Sequence, residues 1–258
     1  MSPSDPPGDA PTNTDVHVKP YVQEAGGKRA LHFSINAVES RIDLRHPDRL
    51  DIEYTRLMMG FLLLQPEPAR IAMIGLGGGS LARFCHRHLP GAHIDVAENN
   101  PHVIALREHF LVPADSERFA VIQTDGASFV RLPPRRYDVL LVDGYDADGL
   151  PRSLSTQRFF DHCAQALQPG GVLVMNVYTQ PARQIQVLER IRRSFGGVAL
   201  SVFDSERTNC VVFACHGPAL GSLRPGPLRR PRVLDGAAWS PLQGAFARVL
   251  AAWNEAFA

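Results

Sequence analysis

At 258 residues, 45% of them apolar and 21% charged, the chain has the make-up of an ordinary globular protein, with length for one good-sized core plus extensions. A formal net charge of +1 gives no electrostatic ground for a nucleic-acid or anionic-membrane partner, and no apolar run reaches the length of a membrane span. Cys85, Cys163, Cys210 and Cys215 form no C-x-x-C pair, and no apolar leader opens the chain, so buried free thiols, no metal centre and a cytoplasmic location are expected.

Residues 1–15, rich in Pro, Asp and Thr without an apolar period, are predicted to be a disordered tail. Residues 16–53 read as a small antiparallel β-element. Gly26-Gly27-Lys28 separates Tyr21-Val22-Gln23 from Ala30 to Ile35 as a hairpin would, and Ser40 to Leu44 supplies a third strand. Residues 54–216 then read as one α/β domain. Tyr54 to Leu64 is an apolar helix that stops before Pro66.

The stretch Ile71-Ala72-Met73-Ile74-Gly75-Leu76-Gly77-Gly78-Gly79-Ser80 is the most informative of the chain. An apolar strand breaks into four glycines and passes into a helical pattern from Leu81. That is the nucleoside-binding corner of a Rossmann-like sheet, where glycines let the backbone approach a ligand. The G-x-G-x-G spacing, with Ser80 where a dinucleotide fingerprint has its last Gly, favours a shorter adenosyl ligand over NAD.

A second strand, Ala92 to Ala97, ends at Glu98, where an acid can accept hydrogen bonds from ribose hydroxyls. Asn100 caps, and Pro101 opens, a helix predicted to run through Phe110. Phe119 to Gln123 is a third strand, leading to Asp125-Gly126. Tyr137 to Val142 is a fourth, leading to Asp143-Gly144-Tyr145-Asp146. Pro169-Gly170-Gly171 turns into a fifth, Val172 to Val177. Each acid alone reads as well as a helix cap or turn residue; Gly, Glu, Asp and Asp at four successive strand ends read as a site. His86 and His88, two apart on a helix, point to different faces and make no metal pair.

Arg183 to Phe195 is an amphipathic helix closed by Gly196-Gly197, and Val198 to Phe203 with Cys210 to Cys215 form a last pair of strands. Residues 217–258 comprise a solvated linker, with Arg224, Arg229, Arg230 and Arg232 among Pro225, Pro227 and Pro231, and then a helix within Ala237 to Phe257. Its Leu242, Phe246, Val249, Leu250 and Trp253 share one face, fit to pack on the domain or on a partner subunit.

Tyr54-Thr55 at a helix head, Ile74 to Gly79, Glu98, Asp125-Gly126, Tyr137-Asp138-Val139 and Asp143-Gly144-Tyr145-Asp146 together resemble the spermidine synthases. Phe159-Phe160 and Leu167 to Gly171 extend the likeness, which covers roughly Tyr21 to Ala214. The resemblance implies an AdoMet-methyltransferase-type α/β fold preceded by a small antiparallel β-element. It also implies decarboxylated S-adenosylmethionine (AdoMet) or AdoMet itself as co-substrate, with no metal, a small amine acceptor such as putrescine, and a homodimer. By position, Gly75, Gly77, Gly78, Gly79 and Ser80 would cradle the nucleoside, Glu98 would hold the ribose, and Asp125 with Gly126 would face the adenine. Asp143 would take the proton of the attacking amine, and Asp146, with Tyr145 and Tyr54, would hold the acceptor. An ammonium is no nucleophile until a base has deprotonated it, and a dication is oriented by paired negative groups.

Three departures stand out. Ser80 replaces the Asp that follows the family's glycines and pairs with the aminopropyl ammonium, Thr55 replaces a Gln, and no tyrosine near Asp204-Ser205-Glu206 matches the family's second substrate-side tyrosine. Two other readings therefore stand beside aminopropyl transfer in polyamine biosynthesis. One is an AdoMet-dependent methyltransferase, against which Met73 occupies a position where such enzymes commonly carry an acid. The other is a non-catalytic protein that binds an adenosyl nucleoside. Tyr145 reads either as a wall of the substrate pocket or as a strand-end cap.

Overall fold

Seven strands form the central sheet of the computed structural model, which describes residues 17–33, 40–217, 220 and 228–257. They are β4 (Arg70–Ile74), β5 (His93–Glu98), β6 (Phe119–Gln123), β7 (Tyr137–Val142), β8 (Leu167–Val177), β9 (Ala199–Phe203) and β10 (Cys210–Cys215), in the order β6-β5-β4-β7-β8-β10-β9. The first five run parallel, and β10 is antiparallel to both its neighbours. The parallel strands are near-continuous apolar runs because both faces of the sheet are covered. Met73, Val139, Val174 and Phe213 join one core, which also holds Phe61, Phe84 and Phe246. Ile74, Leu140, Met175 and Val212 join another, with Phe129, Phe160 and Ile191.

The order reverses between β4 and β7. The chain leaves β4 towards β5 and β6, then returns to build outward on the other side, and such a reversal opens a crevice at the carboxyl ends of the strands. Register brings the loops there to one level: Ile74 lies beside both Ala97 and Val142, Gly75 N donates to Ala97 O, and Asp143 N donates to Ile74 O. Around the sheet lie α1 (Glu53–Met58), α2 (Ser80–His88), α3 (Pro101–Ala105), α4 (Gly126–Arg131), α5 (Gln157–Ala166), α6 (Pro181–Ser194), α7 (Gly236–Trp239) and α8 (Gln243–Phe257). A separate antiparallel sheet, β1 (Tyr21–Ala25), β2 (Lys28–His32) and β3 (Ser40–Asp43), precedes them.

Three elements differ from the sequence expectation. The helix expected over Tyr54 to Leu64 is α-helical only to Met58 and tightens into a 3-10 helix over Met59–Leu63. There Gly60 presses so closely on its neighbours that a Cβ would sit 2.9 Å from Val249 Cγ2. The helix expected to reach Phe110 ends at Ala105; the chain turns back through Leu111, at φ 56°, so that buried Phe110 and Val112 pack on the glycine-rich loop. Pro169-Gly170-Gly171 is no boundary but part of β8, whose pairing with β7 is irregular between Tyr137 and Val139.

The last helix packs on the chain's own domain, against α1 and β9, with Phe246, Val249 and Trp253 buried. All four cysteines are free and buried. His86 packs edge-on to Phe119 and His88 leans on Phe84, so the two rings diverge. Among the described residues no group of three or more His, Cys, Asp or Glu is arranged to hold a metal ion, and no helix is long and apolar enough to cross a membrane. The tail at residues 1–15, the strand end Ser34-Ile35, and Arg224, Pro225 and Pro227 of the linker lie outside the described residues.

Candidate functional site

One side of the crevice is built from backbone. Gly75 takes φ 93°, a conformation L side chains rarely adopt, and a Cβ there would lie 2.4 Å from Asp143 O. The β4 and β7 loops therefore touch through a glycine. Gly79, at φ 69°, is the N-cap of α2, and its Cβ would meet Val112 Cγ2 at 2.3 Å. At Gly126, the first residue of α4, a Cβ would meet Ile74 Cγ2 at 2.4 Å. Gly78 faces Ser40 of β3, whose hydroxyl would be 2.6 Å from an added Cβ, so the small N-terminal sheet is seated on the glycine-rich loop.

Glu98 binds this cradle together. Its Oε2 accepts Leu76 N and its Oε1 accepts Asn100 N, both at 2.8 Å. Burial pushes its pKa up, and these amide hydrogen bonds oppose the shift by favouring the carboxylate. Asp125 caps α4 by accepting Ser128 N at 2.8 Å. Gly75, Glu98, Asp125, Gly126, Tyr145 and Asp146 line a single cleft of about 190 Å³.

Beneath the cradle lies Arg83, 3% exposed. Its guanidinium donates to the carbonyls of Pro47, Gly78 and Phe110, so one side chain fixes the segment after β3, the glycine-rich loop and the turn after α3. Burial lowers its pKa to about 10, with Asp48 opposing the shift. Ser80 belongs to this layer: its Oγ is 3.4 Å from both Ser40 Oγ and Arg83 Nη2, and 3.5 Å from Arg41 O. Like Gly77, Gly78, Gly79, Tyr54 and Asp143, it is not among the residues that line the cleft.

The other side is built from side chains. Strand alternation turns Asp143, just after β7, and Asn176, on β8, towards the sheet face that carries α1. The Asp143 carboxylate accepts Tyr54 Oη at 3.0 Å on Oδ2 and Asn176 Nδ2 at 3.0 Å on Oδ1. Burial pushes its pKa up, and those two hydrogen bonds pull against that shift. Tyr145 serves as both wall and cap. Its ring lines the cleft, while its hydroxyl donates to Asn176 O at 2.9 Å and accepts Tyr178 N at 2.6 Å. Exposed Tyr178 stands edge-on to it. Asp146 lines the cleft, exposed, in a tight loop where it exchanges two backbone hydrogen bonds with Gly149 and accepts Asp148 N. Thr55 is buried, and its hydroxyl bonds Ile52 O, fixing the turn into α1.

Several of these groups lie outside the residues that the sequence pattern marks. Asn176 ends the run of strand-end polar residues that begins with Glu98, so the same pattern extended by one strand reaches it. Glu53, which accepts Ser205 N and Oγ and Arg248 Nη1, ties α1 to the β9–β10 turn and to α8. Arg83 and Ser40 carry no local signal, because Pro47 and Phe110, which Arg83 joins to the glycine-rich loop, and Ser80, which Ser40 meets, lie 27 to 40 residues away.

This arrangement can hold an adenosyl group against backbone amides and carboxylates, and present a half-buried carboxylate to a basic group. Residues 52–209 match the model of the spermine/spermidine synthase domain. A polyamine aminopropyltransferase of Chromobacterium violaceum is 37% identical over 194 residues, which are 75% of this chain and 74% of that protein. A probable spermidine synthase from Corynebacterium glutamicum shares the fold with a TM-score of 0.66 at 18% identity, over 79% of this chain and 81% of the other. A spermidine synthase in complex with the transition-state analogue AdoDATO does so with a TM-score of 0.58, also at 18% identity, over 88% and 87%. The chain belongs to the spermine/spermidine synthase family.

Proposed function

We propose that the chain is a transferase of polyamine biosynthesis that moves an aminopropyl group from an AdoMet-type co-substrate, in its decarboxylated form, to a small amine. The observation that carries this reading is Asp143, a half-buried carboxylate held between Tyr54 and Asn176 beside the glycine cradle. Residues 54–216 are the catalytic unit, acting in a cytoplasmic homodimer; these last points rest on the family resemblance and, for the compartment, on four free thiols.

Gly75, Gly77, Gly78 and Gly79 admit the nucleoside to the backbone, Glu98 meets its ribose, and Asp125 with Gly126 meets the base. Asp143 accepts a proton from the entering ammonium. The freed nitrogen lone pair forms the new N–C bond at the methylene beside the sulfonium. The C–S bonding pair stays on sulfur, and methylthioadenosine leaves as a neutral thioether. Asp146 holds the distal ammonium. Burial of Asp143 fits this task, since a base with a raised pKa is the better proton acceptor near neutral pH.

Purified protein supplied with putrescine and either decarboxylated AdoMet or AdoMet tests the reading. The expected product is methylthioadenosine with an aminopropylated amine, from the decarboxylated form. Adenosylhomocysteine from AdoMet would make the chain a methyltransferase, and tight nucleoside binding without product would make it a binding protein.

A further inference from the structure

Asn176 is 3% exposed and sits beside the proposed base, and its two amide atoms have different fates. Nδ2 donates to Asp143 Oδ1 at 3.0 Å, whereas Oδ1 is buried without a hydrogen-bond partner. Turning the amide over would put its oxygen against the carboxylate, so the charge on Asp143 fixes which end faces it. The residue's backbone is equally fixed: its carbonyl accepts Tyr145 Oη, and its strand position pairs with Val211. Buried acceptors are nearly always satisfied, and one left open beside a reactive carboxylate is a place for a ligand's donor. The donors the reaction brings are the N–H groups of the amine.

We propose that Asn176 is an acceptor-binding and positioning residue: Nδ2 holds Asp143 in place, and Oδ1 accepts an N–H of the attacking amine. This rests on the aminopropyl-transfer reading above. A primary ammonium has three N–H groups. One proton passes to Asp143, and a second N–H bonded to Asn176 Oδ1 fixes the direction of the lone pair that attacks carbon. A neutral acceptor suits this place, because a second carboxylate would compete with Asp143 for the proton. The titratable groups around the pair are Tyr54 from α1 and Tyr145 from the β7 loop, with Cys210 beyond it; burial raises the pKa of both Tyr145 and Cys210.

Two near-isosteric variants test it, with methylthioadenosine affinity as the measure of an intact fold. Asn176→Leu removes both amide atoms. It should raise the putrescine KM about tenfold to a hundredfold, the scale of a hydrogen bond to a charged partner, and lower kcat as well, while methylthioadenosine binds within a few-fold of the parent. Asn176→Asp keeps the shape but sets a carboxylate against Asp143. The acid limb of the kcat/KM profile should then move up by about 1–3 pH units, as for two carboxylates sharing a proton. A purely structural role predicts loss of kcat with an unchanged putrescine KM in Asn176→Leu, and that result overturns the proposal. Should Asn176→Leu lose methylthioadenosine binding, Asn176→Ala, which removes the same acceptor without adding bulk, decides by the same putrescine KM. Should the parent turn over no amine, the aminopropyl-transfer reading falls, and putrescine binding to the methylthioadenosine complex, by calorimetry, decides the place of Asn176. Equal affinity in the parent and Asn176→Leu would then remove Asn176 from the amine site.

Discussion

The two sides of the crevice are made in different ways. On the nucleoside side, Gly75, Gly79 and Gly126 leave no room for a single added carbon, and Glu98 spends its oxygens on amides of neighbouring loops. On the amine side, Asp143 is held by side chains 89 and 33 residues away, each through one hydrogen bond. The first side is therefore specified by volume and backbone conformation, the second by donor and acceptor chemistry at nearly fixed shape. Isosteric changes that leave the nucleoside side intact should disable the amine side, and added methyl groups should do the reverse.

The largest effect is expected at Asp143. Asp143→Asn keeps the shape and removes the base, so turnover should fall ~10²–10⁴-fold while methylthioadenosine binds almost as before. Rapid-quench turnover paired with calorimetry measures both. An equal rate in the variant would mean that the proton leaves the amine by another route.

Gly75→Ala should do the opposite. Its Cβ would meet Asp143 O at 2.4 Å and Gly144 Cα at 2.9 Å, and φ 93° is strained for alanine. Neither contact is a flexible side chain. A loss of about 2–4 kcal/mol in stability is expected, with nucleoside affinity lowered more than tenfold. Gly91→Ala is the control: an added Cβ there meets nothing within 4 Å, and its stability should stay within about 0.5 kcal/mol of the parent. Urea midpoints that fall equally for both would mean that the β4 loop yields more readily than its contacts imply.

This contrast also explains what the sequence makes legible. Strand, glycine turn and helix are consecutive, so Gly75 to Ser80 announce the cradle, and Glu98, Asp125 and Asp143 follow from the rule that such sheets bind at strand ends. The roles of Tyr54 and Asp146 follow from the family resemblance rather than from local pattern. Arg83, Ser40 and Glu53 are not legible as parts of the site, because their meaning lies in partners far off in the chain, whereas Asn176 is within reach of the strand-end rule carried one strand further. Ser80 shows the converse. Its place after the glycines marks it as a ligand residue, yet its hydroxyl faces Ser40, Arg41 and Arg83 in the layer beneath. Helix ends depart from expectation where tertiary packing overrides periodicity: Phe110 keeps the helical apolar spacing of Val103 and Leu106, yet it closes, with Val112, over Gly78 and Gly79.

Glu98 tests where the two modes of construction meet, since its side chain organises backbone. Glu98→Ala leaves the Leu76 and Asn100 amides without their acceptor, so it should weaken methylthioadenosine binding by ~2 kcal/mol and lower stability by a similar amount. Calorimetry and urea unfolding separate the two effects. Full stability with weakened binding would assign Glu98 to the ribose alone, and unchanged binding would remove it from the site.

The smallest and most discriminating effect is expected at Tyr54. Burial raises the pKa of Asp143, and the Tyr54 hydroxyl, by donating to the charged carboxylate, holds that rise in check. The base must be ionised to accept a proton, so kcat/KM should rise with pH through an acid limb above the ordinary carboxylate range. Tyr54→Phe removes the donor and keeps the half-buried ring. The carboxylate loses one stabilising hydrogen bond, its pKa rises further, and the acid limb should move up by no more than about one pH unit, the equivalent of about 1 kcal/mol. Above the limb the rate should fall only a few-fold, because Asn176 still holds the other carboxylate oxygen. A limb that moves down would mean that the hydroxyl serves the protonated form of Asp143. A limb that stays put while kcat collapses would make Tyr54 a donor to the substrate and not to the base.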